Sequence, residues 1–337
     1  MKHDEVIRTE LETDPGCGHD PYARPNLQTS PGPRPAPHEA HTARKRGVLL
    51  RALTFGATGG LAGLLIMRSL NQEGPGANRV SRHFSAAATT LAFSILADST
   101  MEHYRGGFRN RVMYVAPTVS ALTLLAGIEG LRGKKSAARA PVFACAIVTG
   151  LVGAGFHTFN VVKREGGLSW LNAFYGAPIG APLGLTFAGL AGLASNAVAR
   201  NSGRLDGRLG RLTAVGAAVG LMGTAAEAGL LHFRGAFHDP FMYLPVSIPP
   251  LAASALMLSA MHPARASAAR VLLQSTAVLG FAGMGFHAYG VQRNMGGWRN
   301  WSQMLQGPPV PAPPSFTGMA LAGLAALSLL KGDEHER

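Results

Sequence analysis

The sequence predicts an all-α integral membrane protein of about nine transmembrane helices, arranged as two parallel four-helix repeats plus a final helix. Three observations predict it. Only 15% of the 337 residues are charged and 47% are hydrophobic, against roughly 25% charged in an ordinary soluble domain. Apolar runs near the roughly 20 residues needed to cross a hydrocarbon core recur along most of the chain. The chain also matches itself. ADSTMEHYRGGFRNRVMY (97–114) lies without a gap on AEAGLLHFRGAFHDPFMY (226–243), and GFHTFNVVKREGG (155–167) lies on GFHAYGVQRNMGG (285–297). Internal repeats fix an architecture before any local reading does.

Taken in order, residues 1–46 are polar and punctuated by prolines at 15, 21, 25, 31, 33, 35 and 37, which predicts a disordered tail. The tail has no apolar core followed by a small-residue cleavage site, so it does not read as a secretory signal. Nine apolar segments come after it, over 49–67, 85–103, 112–131, 141–162, 180–199, 213–232, 241–261, 268–290 and 314–331. The first, fifth and ninth resemble one another: LTFGATGGLAG (53–63), LTFAGLAGLAS (185–195) and SFTGMALAGLAAL (315–327). The expected domains are the tail over 1–46, a first membrane repeat over 47–176, a second over 177–307, a final transmembrane helix over 308–331 and a short polar tail over 332–337. Four spans per repeat leave both copies in the same orientation, with the pseudo-twofold axis along the membrane normal. The 43 glycines suit helices that approach closely in a bilayer.

Alternating spans sort the connecting loops onto two faces. The first face carries the loops near 68–84, 132–140, 200–212 and 262–270 and the C-terminus, with fifteen Lys and Arg. The second carries the loops near 104–111, 163–179, 233–240 and 291–313, with eight. Loop charge therefore predicts a cytoplasmic first face, in the cytoplasmic (inner) membrane of a bacterium. The tail opposes this by adding seven more basic residues to the second face, among them Arg44, Lys45 and Arg46. The net charge of +13 is then a matter of topology and anionic headgroups, and no nucleic-acid partner is expected. Trp170, Trp298 and Trp301 all fall on the second face, together with two proline-rich connectors, YGAPIGAPLG (175–184) and QGPPVPAPPS (306–315). Irregular backbone near membrane depth must be buried in protein or line a wet cavity, so the second face is the expected working surface.

The candidate chemistry collects there. His103 pairs with His232 across the repeat, and His157 with His287. All four lie toward the second-face ends of even-numbered spans. Imidazoles at matching depth on neighbouring helices can ligate haem iron or hold a metal, so these four are the candidate cofactor-binding residues and haem b the candidate cofactor. The simpler reading is that each ring is an interfacial hydrogen-bonding group holding a loop. Asp98 aligns with Glu227, five residues before the histidine in each copy, and Glu102 lies one turn beyond Asp98. A carboxylate within a span is costly and reads as functional by default, which makes Asp98, Glu102 and Glu227 a candidate proton or ligand site. The alternative is that each is paired with Arg105 or Arg234, or protonated and bonded to a backbone carbonyl.

Two cysteines without a CxxC or CxxCH pair exclude c-type haem attachment, cysteine-held iron–sulfur clusters and zinc ribbons. Frameworks for a P-loop, a Rossmann site, a zincin or a serine hydrolase are missing too. The expected function is a membrane-embedded, haem- or quinone-associated subunit of a redox assembly, with a soluble oxidoreductase docking at the aromatic face. One alternative is a carrier of small solutes or metal ions with its site between the repeats. The other is a membrane scaffold without cofactor, in which the polar residues only fix helix ends.

Overall fold

Long runs of alanine, leucine and glycine, with no alternation of apolar and polar residues, favour helix, which satisfies every backbone group within its own segment. The computed structural model describes residues 37–71, 76–134, 136–200, 206–262 and 265–336. Helix makes up 84% of it, and no strand occurs among the described residues. Its helices are α1 (Pro37–Asn71), α2 (Gly76–Arg105), α3 (Val115–Leu131), α4 (Arg139–Val162), α5 (Trp170–Tyr175), α6 (Leu183–Arg200), α7 (Gly207–Arg234), α8 (Leu244–Met261), α9 (Ala266–Arg293), α10 (Trp301–Gln306) and α11 (Pro314–Glu336). The chain divides into two units, Met1–Arg46 and Gly47–Arg337, and the helical bundle is built from the second.

Two ends differ from expectation. Helix α1 begins at Pro37, within the stretch expected to be a disordered tail; the remainder of that tail, residues 1–36, lies outside the described residues. Helix α11 runs on through Glu336, so the backbone of the expected polar tail continues the last helix.

Among the described residues, seven helices are long and apolar enough to cross a membrane: Gly47–Arg68 of α1, then α3 and α8 with their preceding 3-10 turns, α4, α7, α9, and Pro314–Lys331 of α11. They give the chain the character of an integral membrane protein. Their outer surfaces carry large apolar side chains in the open, such as Leu212 at 73% and Val271 at 61% exposure. A soluble protein rarely presents so continuous an apolar exterior, whereas lipid accepts it.

The second and fifth expected spans, now α2 and α6, are not among the seven. The reason is their position. Helix α2 packs against α3, α6 and α11, and α6 against α2 and α4. Their covered faces are small and polar: Ser85, Ser94 and Ala87 on α2, and Ser195 and Asn196 on α6, are all buried. A helix wrapped in protein needs no apolar exterior, and small side chains let its neighbours come close. Helix α11 sits at the centre, against α2, α7 and α9, with 83% of its spanning window buried.

Small residues set the spacing. A Cβ at Gly189 of α6 would lie 2.4 Å from the Phe143 carbonyl oxygen of α4, and one at Gly59 of α1 would lie 2.1 Å from the Phe281 oxygen of α9. Backbone therefore rests on backbone at both crossings. The loop charges yield a test of orientation. In intact cells a cysteine at Ser136 should resist an impermeant thiol reagent and one at Ser302 should react. The opposite pattern would show that the basic tail outweighs the loops.

Candidate functional site

The second-face end of α2 is built from a turn that strains its own backbone. After Arg105 the chain reverses through Gly107 at φ 70° and Phe108 at φ 45°. Positive φ on a bulky residue is costly and persists only where its surroundings hold it. Here the Phe108 ring stacks on Tyr114 at 4.2 Å and meets the His103 ring edge-on at 6.1 Å. His103 Nδ1 bonds the Met113 carbonyl at 2.6 Å, and Asn110 caps the following 3-10 turn by accepting from the Val112 amide at 3.0 Å.

The end of α7 uses the same parts. Ala236 and Phe237 take φ of 55° and 45°. Phe237 stacks on Tyr243 at 4.6 Å and meets His232 at 6.0 Å. His232 Nδ1 bonds the Met242 carbonyl at 2.9 Å, and Asp239 caps its turn through the Phe241 amide at 3.0 Å. His238-Asp239-Pro240, which the sequence marks as present in one copy only, is thus a turn starter in the position of Arg109-Asn110-Arg111.

His157 and His287 lie further inside their helices and hold the proline-rich connectors. His157 Nδ1 bonds the Pro178 carbonyl at 2.6 Å, and His287 Nδ1 bonds the Pro309 carbonyl at 2.8 Å. Proline-rich backbone cannot satisfy itself as helix does, so its carbonyls need outside donors. In all four histidines Nδ1–H donates to backbone, which leaves Nε2 with a free lone pair. That is the tautomer found in ligating or proton-accepting imidazoles. The His232 and His287 rings lie 6.4 Å apart at 69°. His103 and His157 are within electrostatic range of one another, with no ring contact between them.

The carboxylates separate. Glu102 forms an ion pair with Arg105 at 2.5 Å with both side chains nearly half exposed, and stays within electrostatic range of Asp98. Glu227 faces inward. Its carboxylate is met by the Ala181 amide, and Asp98 lies within electrostatic range. Glu227 Oε2 presses on Gly180, where a Cβ would come within 2.8 Å of it, while Oε1 is enclosed without a hydrogen-bond partner. Arg234 acts on Glu227 through its charge alone, while it donates to the Ala173 carbonyl at 3.3 Å and covers the Phe174 ring. The connector 176–182 is therefore clasped by His157 from one side and Glu227 from the other.

Sequence reasoning missed Ser94. Its hydroxyl donates to the Pro311 carbonyl at 2.6 Å, so α2 clasps the second connector as α7 clasps the first. Ser94 aligns with Gly223 in the sequence self-match, which therefore offered no paired signal. Thr317, which donates to the Ala277 carbonyl at 2.6 Å, was also missed. Its counterpart Thr186 makes the same kind of bond to Ile147 at 3.3 Å, and a threonine shared by LTF (185–187) and FTG (316–318) was the available clue. The short helices α5 and α10 within the second-face loops were not expected either. They start at Ser169 and Asn300, whose side chains accept from the Asn172 and Gln303 amides.

No group of three His, Cys, Asp or Glu suited to a metal ion occurs among the described residues. A groove of about 840 Å³ runs between α7 and α8, and none of the four histidines lines it. Fold and site together define a helical protein with seven helices, among the described residues, capable of spanning a bilayer, and with a histidine-bearing end. Compared with protein-family models, curated proteins and solved structures, the chain gives no significant match.

Proposed function

We propose that this chain is the membrane-embedded subunit of a redox assembly, and that its second face serves a quinone beneath a soluble oxidoreductase. The observation that carries the proposal is the shared orientation of His103, His157, His232 and His287, each giving Nδ1–H to backbone and keeping Nε2 free. Such a ring accepts from a quinol hydroxyl through the Nε2 lone pair and, once protonated there, donates to a quinone carbonyl. Reducing a quinone takes two electrons and two protons. The soluble partner would deliver the electrons, and the imidazoles with Asp98 and Glu227 would relay the protons. The platform for that partner is apolar and open: Trp170, Leu171, Met295 and Trp301 are all exposed. We also infer that the two halves are copies of one four-helix unit, supported by the matched turns at His103 and His232 and the matched clasps at His157 and His287.

The test is quenching of the three tryptophans by a short-chain ubiquinone in protein reconstituted into nanodiscs. Saturable quenching is expected, with His232→Ala weakening it about fivefold, the cost of one hydrogen bond of roughly 1 kcal/mol. Quenching that only follows the quinone content of the lipid would refute the reading. A Soret band in the purified protein would transfer the histidines to haem.

A second reading, a proton- or cation-coupled carrier, draws on the unpartnered Glu227 Oε1 near Asp98. It requires pH- or cation-driven flux in sealed vesicles that Glu227→Gln abolishes.

A further inference from the structure

Helices α4 and α9 carry the same outward stripe, but only one of the two is covered. On α9, helix α1 lies over Val278, Phe281, Ala282, Gly285 and Phe286, with Phe55 against the Tyr289 ring at 5.6 Å. The contact is close. A Cβ at Gly285 would lie 2.1 Å from the Phe55 carbonyl oxygen, and Gly56, Gly59 and Gly63 of α1 face this surface in turn. Running the match of 155–167 with 285–297 backward without a gap gives the counterparts on α4: Val148, Leu151, Val152, Gly155, Phe156 and Phe159. Each position keeps its chemistry, glycine for glycine, phenylalanine for phenylalanine, and phenylalanine for tyrosine. Gly280 and Gly150 support the register, since each rests on the threonine and the proline carbonyl at the start of the following long helix.

On α4 this stripe is bare. Val148 is 60% and Phe159 62% exposed, and nothing lies within 4 Å of a Cβ built at Gly155. Of the seven span-length helices α4 is the least covered, with 17% of its window buried. Lipid alone does not account for a glycine placed among large apolar residues at the very position where its counterpart admits the backbone of another helix.

We propose that the α4 stripe centred on Gly155 is the docking site for a transmembrane helix of a partner subunit, one that carries small residues at the spacing of Gly56, Gly59 and Gly63. The helix runs antiparallel to α4, as α1 runs relative to α9, where Gly56 meets Phe286, Gly59 meets Phe281 and Gly60 meets Val278. The inference rests on the duplication and is independent of the quinone.

Its test uses the full chain in lipid vesicles with Cys17→Ser, leaving Cys145 as the single thiol. Cys145 is exposed and lies on the same side of α4 as Val148 and Val152, so it takes a donor fluorophore. The probe is a synthetic peptide of residues 47–68 with an acceptor at its C-terminal end. Energy transfer should saturate, and Gly155→Phe should raise the half-saturating peptide fraction at least tenfold. The same substitution at Gly59 of the peptide should do likewise. Transfer that rises linearly with peptide-to-lipid ratio, or that saturates equally in Gly155→Phe, overturns the proposal. So does a Cys145–Cys145 cross-link on mild oxidation that Gly155→Phe removes, because a second copy would then occupy the stripe.

Discussion

Gly285→Leu should detach α1 from α9, while Gly155→Leu should leave the protein unchanged in stability. At Gly285 the new side chain meets the Phe55 carbonyl oxygen at 2.1 Å, the Phe55 carbonyl carbon at 2.7 Å and the Gly56 nitrogen at 3.2 Å, all of them backbone. Backbone cannot rotate aside as a side chain does, so the helices must part. Overpacking of this kind costs about 1–3 kcal/mol, and losing the rest of the α1 contact adds to it. At Gly155 the same leucine enters open space. Thermal unfolding in detergent checks both: a clearly lowered midpoint for the first and none for the second. Equal midpoints would mean that the α1–α9 crossing contributes little.

His157→Ala should release the first connector, and His287→Ala should disturb the second less. The His157 ring donates to the Pro178 carbonyl at 2.6 Å. Without it that carbonyl is left unpaired in a partly buried setting, at a cost of about 1–3 kcal/mol. The Pro309 carbonyl keeps a partner when His287 is removed, because the Ala312 amide also donates to it at 3.2 Å. Ser94 holds the neighbouring carbonyl of Pro311 as well. Hydrogen–deuterium exchange should therefore quicken more at Ile179, Gly180 and Ala181 in His157→Ala than at Val310 and Ala312 in His287→Ala. The reverse order would assign the histidines a role other than clasping.

Glu227 marks the limit of reading such a site from composition. Its presence within an apolar segment, in register with Asp98, was legible. Its partners were not, since they are the backbone of Gly180 and Ala181, where no side chain advertises the contact. Glu102 carries the opposite lesson. It stays within electrostatic range of Asp98, while its half-exposed carboxylate pairs with Arg105 three residues on. Local geometry on one helix decided that, through the i,i+3 pairing with Arg105 that the sequence had offered as an alternative.

The sequence by itself determined the helical class, the bilayer as solvent, the end of the molecule where histidines, tryptophans and prolines gather, and the pairing of positions between the two matching stretches. These are properties of periodicity, hydropathy and self-match, and each is local along the chain. The tertiary structure alone decided that α2, α6 and α11 form the interior. The serines of α2 and the serine and asparagine of α6 are covered by neighbouring helices, so those two helices need no apolar exterior. It also decided that each histidine spends Nδ1 on a backbone carbonyl, and that α1 covers α9 while α4 stays open. Such outcomes depend on which surfaces meet. Meeting is set by the fit of glycine against backbone across helices far apart in sequence, and no pattern within a single segment encodes it.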